Sequence, residues 1–190
     1  MIIKIPLKPN YKLYIKTMIF HGELDNNDLA NAIFHHSNVM PNRKKSSQVI
    51  KFSDKDKKKI NSFDEISKIM LKILKENNCF VDNKGYVIEC QQRNGGFVKN
   101  NNSPFIWHSD GEKQVTIILY IRKDRTIKGG NLMIDAGFSN GFNPFRKTVE
   151  KEIETKEGQC LIFDSEMRHK PTEFTGFGCR DIIVGFFKKT

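Results

Sequence analysis

The sequence predicts an α+β fold: helices in the N-terminal part support a strand-rich C-terminal half built as a sandwich, jelly roll or barrel. Three observations carry this. Near position 80 the apolar residues change from helical spacing to alternation. A capping box, Ser62 with Glu65 three residues on, opens the clearest helical stretch. The length of 190 residues, with 38% hydrophobic residues and 15 Phe, suits one buried core better than two. One domain over 1–190 is expected, with a helical support region at 1–80 and the β core at 81–190.

In chain order, residues 13–20 alternate in the manner of a strand, and residues 24–36 fit a short helix with Asp25 near its start. After Ser62, the residues Ile66, Ile69, Met70, Ile73 and Leu74 recur on one helical face until Asn77 and Asn78 end the run. That stripe reads as core. Beyond it, residues 86–92, 114–121, 131–134, 159–163 and 180–187 alternate with period two between Gly, Asn or Pro clusters, and each reads as a strand. Two long loops, 93–104 and 135–147, lie on this scaffold, the second carrying Phe138, Phe142 and Arg146. Loops of this kind, held by a β scaffold, are where binding concentrates.

The net charge of +10 admits an anionic partner such as nucleic acid. Its distribution argues otherwise. In the segment from Arg43 to Lys59, eight cations face only Asp54 and Asp56, with no aromatic or Gly-rich recognition pattern among them. A solvated loop and helix entry is the expectation there. No apolar run approaches the ~20 residues of a membrane span, and residues 1–6 lack the pattern of a secretory signal. Cys79, Cys90, Cys160 and Cys179 have neither CxxC nor zinc-site spacing, so reduced, buried thiols are expected. Together these features predict an intracellular, cytoplasmic protein without membrane association. Oligomeric state is not encoded in any feature of this kind.

The chemistry centres on His108-Ser109-Asp110. In an extended segment, residues i and i+2 point to one side, so the imidazole and the carboxylate converge. Alone, such a pair is more often a surface hydrogen bond. His169, just beyond the strand at 159–163, completes a set of two histidines and one carboxylate, which binds one face of Fe(II) and leaves the other positions open. Arg180 stands ten intervening residues later, beside Cys179, Ile182, Ile183 and Val184. A guanidinium on so apolar a strand is costly to bury without a carboxylate partner, supplied by a ligand or by the protein itself.

Trp107-His108-Ser109-Asp110, Val115 to Ile121, Gly129-Gly130-Asn131-Leu132, Glu157 to Ser165, and His169 with Arg180 follow one another in an order and spacing that resembles the Fe(II)- and 2-oxoglutarate-dependent dioxygenases, in their prolyl-4-hydroxylase-like branch. The resemblance spans roughly residues 86–187. It implies a double-stranded β-helix (jelly-roll or cupin-like) core, His108, Asp110 and His169 as ligands of Fe(II), and Arg180 on the distal carboxylate of 2-oxoglutarate. Tyr120 matches the position that offers a hydroxyl to that carboxylate, and Thr116, on the same strand face, is grouped with it and Arg180 as a 2-oxoglutarate-binding residue. A core aromatic with its hydroxyl at the rim is the alternative for Tyr120, with cosubstrate contact the favoured reading. With 2-oxoglutarate and O2 as cosubstrates, the implied reaction hydroxylates a protein or peptide side chain, proline first, and releases succinate and CO2. Phe138, Phe142 and Arg146 are then candidates for substrate contact.

Two departures bear on the substrate. Where prolyl hydroxylases often carry a further Tyr on the strand before the iron motif, this chain has Cys90-Gln91-Gln92, and Asn131 follows the Gly-Gly pair where an acidic residue is common. A nucleic-acid-modifying oxygenase is the rival substrate class, but the second arginine that DNA-repair members place six residues after the first is here Phe186. A non-catalytic β-barrel module that holds an anionic partner through its basic segment is the rival outside enzymes. His21, His35 and His36 read as surface or packing residues, and Asp164 and Glu166 as a solvated acidic loop rather than partners of His169.

Overall fold

The computed structural model describes residues 1–16, 47–53, 61–94, 106–137, 149–176 and 178–190. The elements are β1 (Ile2–Pro6), α1 (Pro9–Ile15), β2 (Ser47–Ser53), α2 (Asn61–Glu76), β3 (Val87–Asn94), β4 (Gln114–Lys123), β5 (Lys128–Gly129), β6 (Leu132–Asp135), β7 (Glu150–Ile153), β8 (Gln159–Asp164), β9 (His169–Pro171), β10 (Phe174–Thr175) and β11 (Cys179–Lys188). A six-stranded sheet runs β1-β8-β4-β11-β3-β2, a three-stranded sheet runs β7-β6-β9, and β10 pairs with β5. Every pairing between these strands is antiparallel.

The large sheet is covered on both faces, and alternation decides which residue goes where. Val115, Ile117, Leu119 and Ile121 of β4 join Ile162 and Ile183 in packing against Ile66, Met70, Ile73 and Leu74 of α2. Ile118 and Tyr120 point the other way, toward Leu132 and Ile134 of the small sheet, with Leu161, Phe163, Ile182 and Val184. Gly185 sets the approach of α2. A Cβ there would stand 2.7 Å from Met70 Sδ and 2.6 Å from the Phe187 ring, so any larger residue would force those side chains to shift.

The helical stripe of α2 and the five long alternating strands are where the sequence places them. The N-terminal part differs. Residues 13–15, read as strand, belong to α1, which Pro9 opens from the first helical position. Burial makes the distinction: Leu13 is 66% exposed and Ile15 wholly buried, whereas a strand would have put both on one face. The helix begins at Asn61, so Ser62 is not the residue that caps it. Glu65 binds Lys68 at 2.7 Å, within this helix. The region before residue 80 is also not only a helical support, since β1 and β2 form the two edges of the large sheet, on β8 and β3. In the basic segment, residues 47–53 are this edge strand instead of a loop and helix entry; the rest of the segment, like the helix expected at 24–36, falls outside the described residues.

No disulfide joins the four cysteines. Cys79, Cys90 and Cys160 are buried, and burial pushes the Cys160 thiol up to about 12, which leaves it inert. Among the described residues no helix is long and apolar enough to cross a membrane.

Candidate metal centre

His108 and His169 lie on neighbouring extended segments joined by a reciprocal pair of backbone hydrogen bonds, His108 N–H to His169 C=O at 2.9 Å and the reverse at 2.8 Å. Two residues on, the Asp110 N–H donates to the Ser165 carbonyl at 2.9 Å. The backbone thus delivers three side chains to one side before any metal is considered. Their donor atoms all lie within 4.8 Å of one another.

The protonation of both rings follows from their partners. His108 Nδ1 is 2.9 Å from the Ile106 carbonyl and His169 Nδ1 is 2.8 Å from the Met167 carbonyl. A carbonyl only accepts, so each Nδ1 carries a proton, which in a neutral ring leaves the lone pair on Nε2. Those atoms face Asp110, His108 Nε2 at 3.7 Å from Oδ1 and His169 Nε2 at 3.5 Å from Oδ2. Burial lowers the pKa of His169, with the Asp110 charge opposing, and so favours the neutral form that ligates. Phe163 packs edge-on against this ring at 4.9 Å between centroids. Two imidazole lone pairs and a carboxylate converging from one side form a donor set that fits Fe(II).

A cavity of about 640 Å³ extends from these three residues between the sheets to Tyr120 and Arg180. Both are buried, with the Arg180 Cζ 5.6 Å from the Tyr120 ring centroid. Burial pushes the Arg180 guanidinium down and the Tyr120 phenol up, the nearby Arg180 charge opposing the latter shift. The Tyr120 hydroxyl interacts with the side chains of Arg180 and Thr155. Lys123, opposite Arg180 in the ladder, has its pKa lowered by burial and by that neighbouring cation. This end of the cavity is electropositive and sets a guanidinium beside a phenol, which fits a carboxylate ligand.

Similarity to solved structures agrees with this geometry. The chain superposes over its full length on a prolyl-4-hydroxylase of Pseudomonas putida, with a TM-score of 0.54, 13% identity and 92% of that chain covered. Over 99% of its length it matches a prolyl hydroxylase from Trichoplax adhaerens, described in complex with a hypoxia inducible factor peptide fragment, with a TM-score of 0.54, 14% identity and 83% coverage. A viral collagen prolyl hydroxylase of Paramecium Bursaria Chlorella virus-1, in a 2OG complex, matches with a TM-score of 0.50, 14% identity and coverage of 100% and 96%. The fold is that of the 2-oxoglutarate-dependent oxygenases. At these identities the likeness is one of fold. No family model and no curated protein matches the sequence.

Within this oxygenase fold, the residues singled out from sequence separate into groups. His108, Asp110 and His169 meet at one end of the cavity, and Arg180 and Tyr120 meet at the other. Thr116 lines the cavity too, but its hydroxyl donates to Asp110 Oδ2 at 2.7 Å and lies 2.7 Å from the Ser165 hydroxyl. Phe138, Phe142 and Arg146, with most of both long loops and His21, His35 and His36, fall outside the described residues. Asp164 faces away from the centre and pairs with Lys189 at 2.6 Å, while the Glu166 carboxylate accepts the Lys113 N–H at 2.9 Å.

Other residues enter the site unannounced. Glu89 and Gln91 line the wall from β3, which its alternation implied once Ile88 and Cys90 were placed in the core. Ser165 and Thr155 are buried beside functional groups by loops that carry no periodic signal. Trp107, next to His108, has Lys170 Nζ 4.9 Å and Arg168 Cζ 6.0 Å from its ring centroid.

Proposed function

We propose that this chain is an Fe(II)- and 2-oxoglutarate-dependent oxygenase that hydroxylates a protein or peptide side chain, with proline the favoured residue. The observation that carries the reading is the convergence of the His108 and His169 Nε2 atoms and the Asp110 carboxylate at one end of a cavity whose other end holds Arg180 and Tyr120. His108, Asp110 and His169 would hold Fe(II), while Arg180 and the Tyr120 hydroxyl would receive the distal carboxylate of 2-oxoglutarate. Fe(II) supplies the activation of O2 that couples decarboxylation of 2-oxoglutarate, to succinate and CO2, with oxygenation of the substrate.

The protein's own part is placement and shielding. The Ile106 and Met167 carbonyls hold the two rings in the ligating tautomer. Ile118, Leu132, Ile182 and Val184 keep the cavity walls apolar, which strengthens the attraction between Arg180 and a carboxylate. Chain organisation fits a single domain over 1–190, since the edge strands β1 and β2 complete the sheet that β4, β8 and β11 begin.

A peptide substrate is supported by the fold shared with prolyl hydroxylases, one of them described with a bound peptide. Against the nucleic-acid reading, Phe186, at the position where DNA-repair members place an arginine, lines the cavity. Incubation with Fe(II), 2-oxoglutarate, O2 and a library of proline-containing peptides is expected to yield succinate and a +16 Da product by mass spectrometry. Absence of metal-dependent 2-oxoglutarate binding, together with absence of succinate, would overturn the reading; demethylation of a methylated oligonucleotide in place of peptide oxidation would overturn the substrate class.

A further inference from the structure

We propose that Ser165 and Thr116 form a hydrogen-bond relay that selects which oxygen of Asp110 meets the metal and keeps that carboxylate bound through one oxygen only. The proposal rests on the metal-centre reading above. It assigns Thr116 to positioning a ligand, where the family resemblance implied contact with the cosubstrate.

Proton counting fixes the direction of the relay. The Thr116 hydroxyl is 2.7 Å from Asp110 Oδ2 and 2.7 Å from the Ser165 hydroxyl. A ligating carboxylate has no proton to give, so Thr116 must donate to Oδ2. Its only proton is then in use, and its bond to Ser165 exists only if Ser165 donates. The order is Ser165 Oγ–H to Thr116 Oγ1, and Thr116 Oγ1–H to Asp110 Oδ2. Thr116 is 1% exposed and Ser165 not at all, so water does not compete for either hydroxyl. Ser165 grips Asp110 a second time, its carbonyl accepting the Asp110 N–H at 2.9 Å. Backbone and carboxylate are therefore tied to the same residue.

The two oxygens of Asp110 consequently differ. Oδ2 is engaged by Thr116 and lies 3.5 Å from His169 Nε2, while Oδ1, 3.7 Å from His108 Nε2, accepts no hydrogen bond among the described residues. Oδ1 is left as the ligand atom. A carboxylate that bound through both oxygens would take two coordination positions and remove one that the set of two histidines and one carboxylate otherwise leaves open. The relay holds the carboxylate plane against that rotation. It also leaves Thr116 without a proton for 2-oxoglutarate.

Mn(II), which takes the same ligands and is visible by electron paramagnetic resonance, is the probe. Its affinity is measured by titration calorimetry for wild type, Thr116→Val, Thr116→Ser, Ser165→Ala and Asp110→Ala, with 2-oxoglutarate affinity measured separately at saturating Mn(II). Thr116→Val is expected to weaken Mn(II) binding by ~10–100-fold, the usual cost of losing a partner that orients a ligand, and to change the Mn(II) resonance. Thr116→Ser should restore both, and Ser165→Ala should produce a smaller loss in the same direction. A Thr116→Val protein that binds Mn(II) like wild type, or that loses only 2-oxoglutarate affinity, overturns the relay while leaving the metal centre intact. Failure of the metal centre itself looks different: wild type binds no Mn(II), or Asp110→Ala binds it equally well, and the relay falls with it. Should Thr116→Val not fold, Ser165→Ala decides, and unchanged Mn(II) affinity there overturns the proposal.

Discussion

On β4, Ile117, Leu119 and Ile121 lie against Ile66, Met70 and Leu74 of α2, while Thr116 and Tyr120, one residue along, face a cavity containing Asp110 and Arg180. One backbone carries both sets. The helix-facing set has no polar atom to satisfy, so its contribution is transfer of apolar surface and close packing. The cavity-facing side adds, to the Tyr120 phenol of β4, the Arg180 guanidinium of the neighbouring β11, and burial disfavours both in their charged forms. Stability and binding are thus assigned to opposite faces of one sheet, and substitutions should separate them.

The largest effect belongs to the cavity face. His108→Ala or Asp110→Ala is expected to reduce succinate release to background while the metal-free protein melts close to wild type; a large drop in melting temperature would break the division of labour. On the opposite face, Leu74→Ala should destabilise by about 2–5 kcal/mol, the range for truncating a buried leucine, read by denaturant unfolding, with Mn(II) affinity unchanged where the protein is folded. Arg180→Met sharpens the contrast. Affinity for 2-oxoglutarate should fall about tenfold or more through loss of a charge-assisted pair, yet unfolding stability should hold or rise, because a buried guanidinium is itself disfavoured.

The smallest expected effect lies outside both faces, at the turn after β4. Two hydrogen bonds from Arg122, at 2.8 and 2.7 Å, hold the Asp124 carboxyl down to about 2, with burial opposing and the Cys179 N–H assisting. A depressed carboxylate contributes stability that is present above its ordinary value of 3.8 and is lost as pH falls from there through about 2. Asp124→Asn should flatten that acid limb of the stability profile. Because the pair is partly exposed, the change at neutral pH should stay below about 1 kcal/mol, as thermal melts across pH would show.

Legibility in the sequence followed the length of each pattern. Strands β3, β4, β8 and β11 run for six to ten residues, with alternate side chains on opposite faces of the sheet, and α2 repeats its stripe from Ile66 to Leu74, so periodicity located them. β5, β9 and β10 are two or three residues long and are formed by their partners, which no local pattern announces. In α1, Leu13 and Ile15 imitated alternation because seven residues are too few to distinguish period two from 3.6. The site divides similarly. His108 and Asp110 are separated by one residue, and His169 follows just beyond a strand that periodicity locates. Ser165 reaches Thr116 across 49 positions of chain, a relation that only folding creates.

Trp107 offers an optical consequence. It is the only tryptophan in the chain, it shares a peptide bond with His108, and its ring lies under the ammonium group of Lys170, the neighbour of His169. Its emission therefore originates at the rim of the candidate centre and nowhere else in the molecule. Quenching by a paramagnetic ion, or a wavelength shift as β9 and its partner segment adjust, would report ligation from inside the unlabelled protein. Fluorescence becomes a direct view of one strand pair.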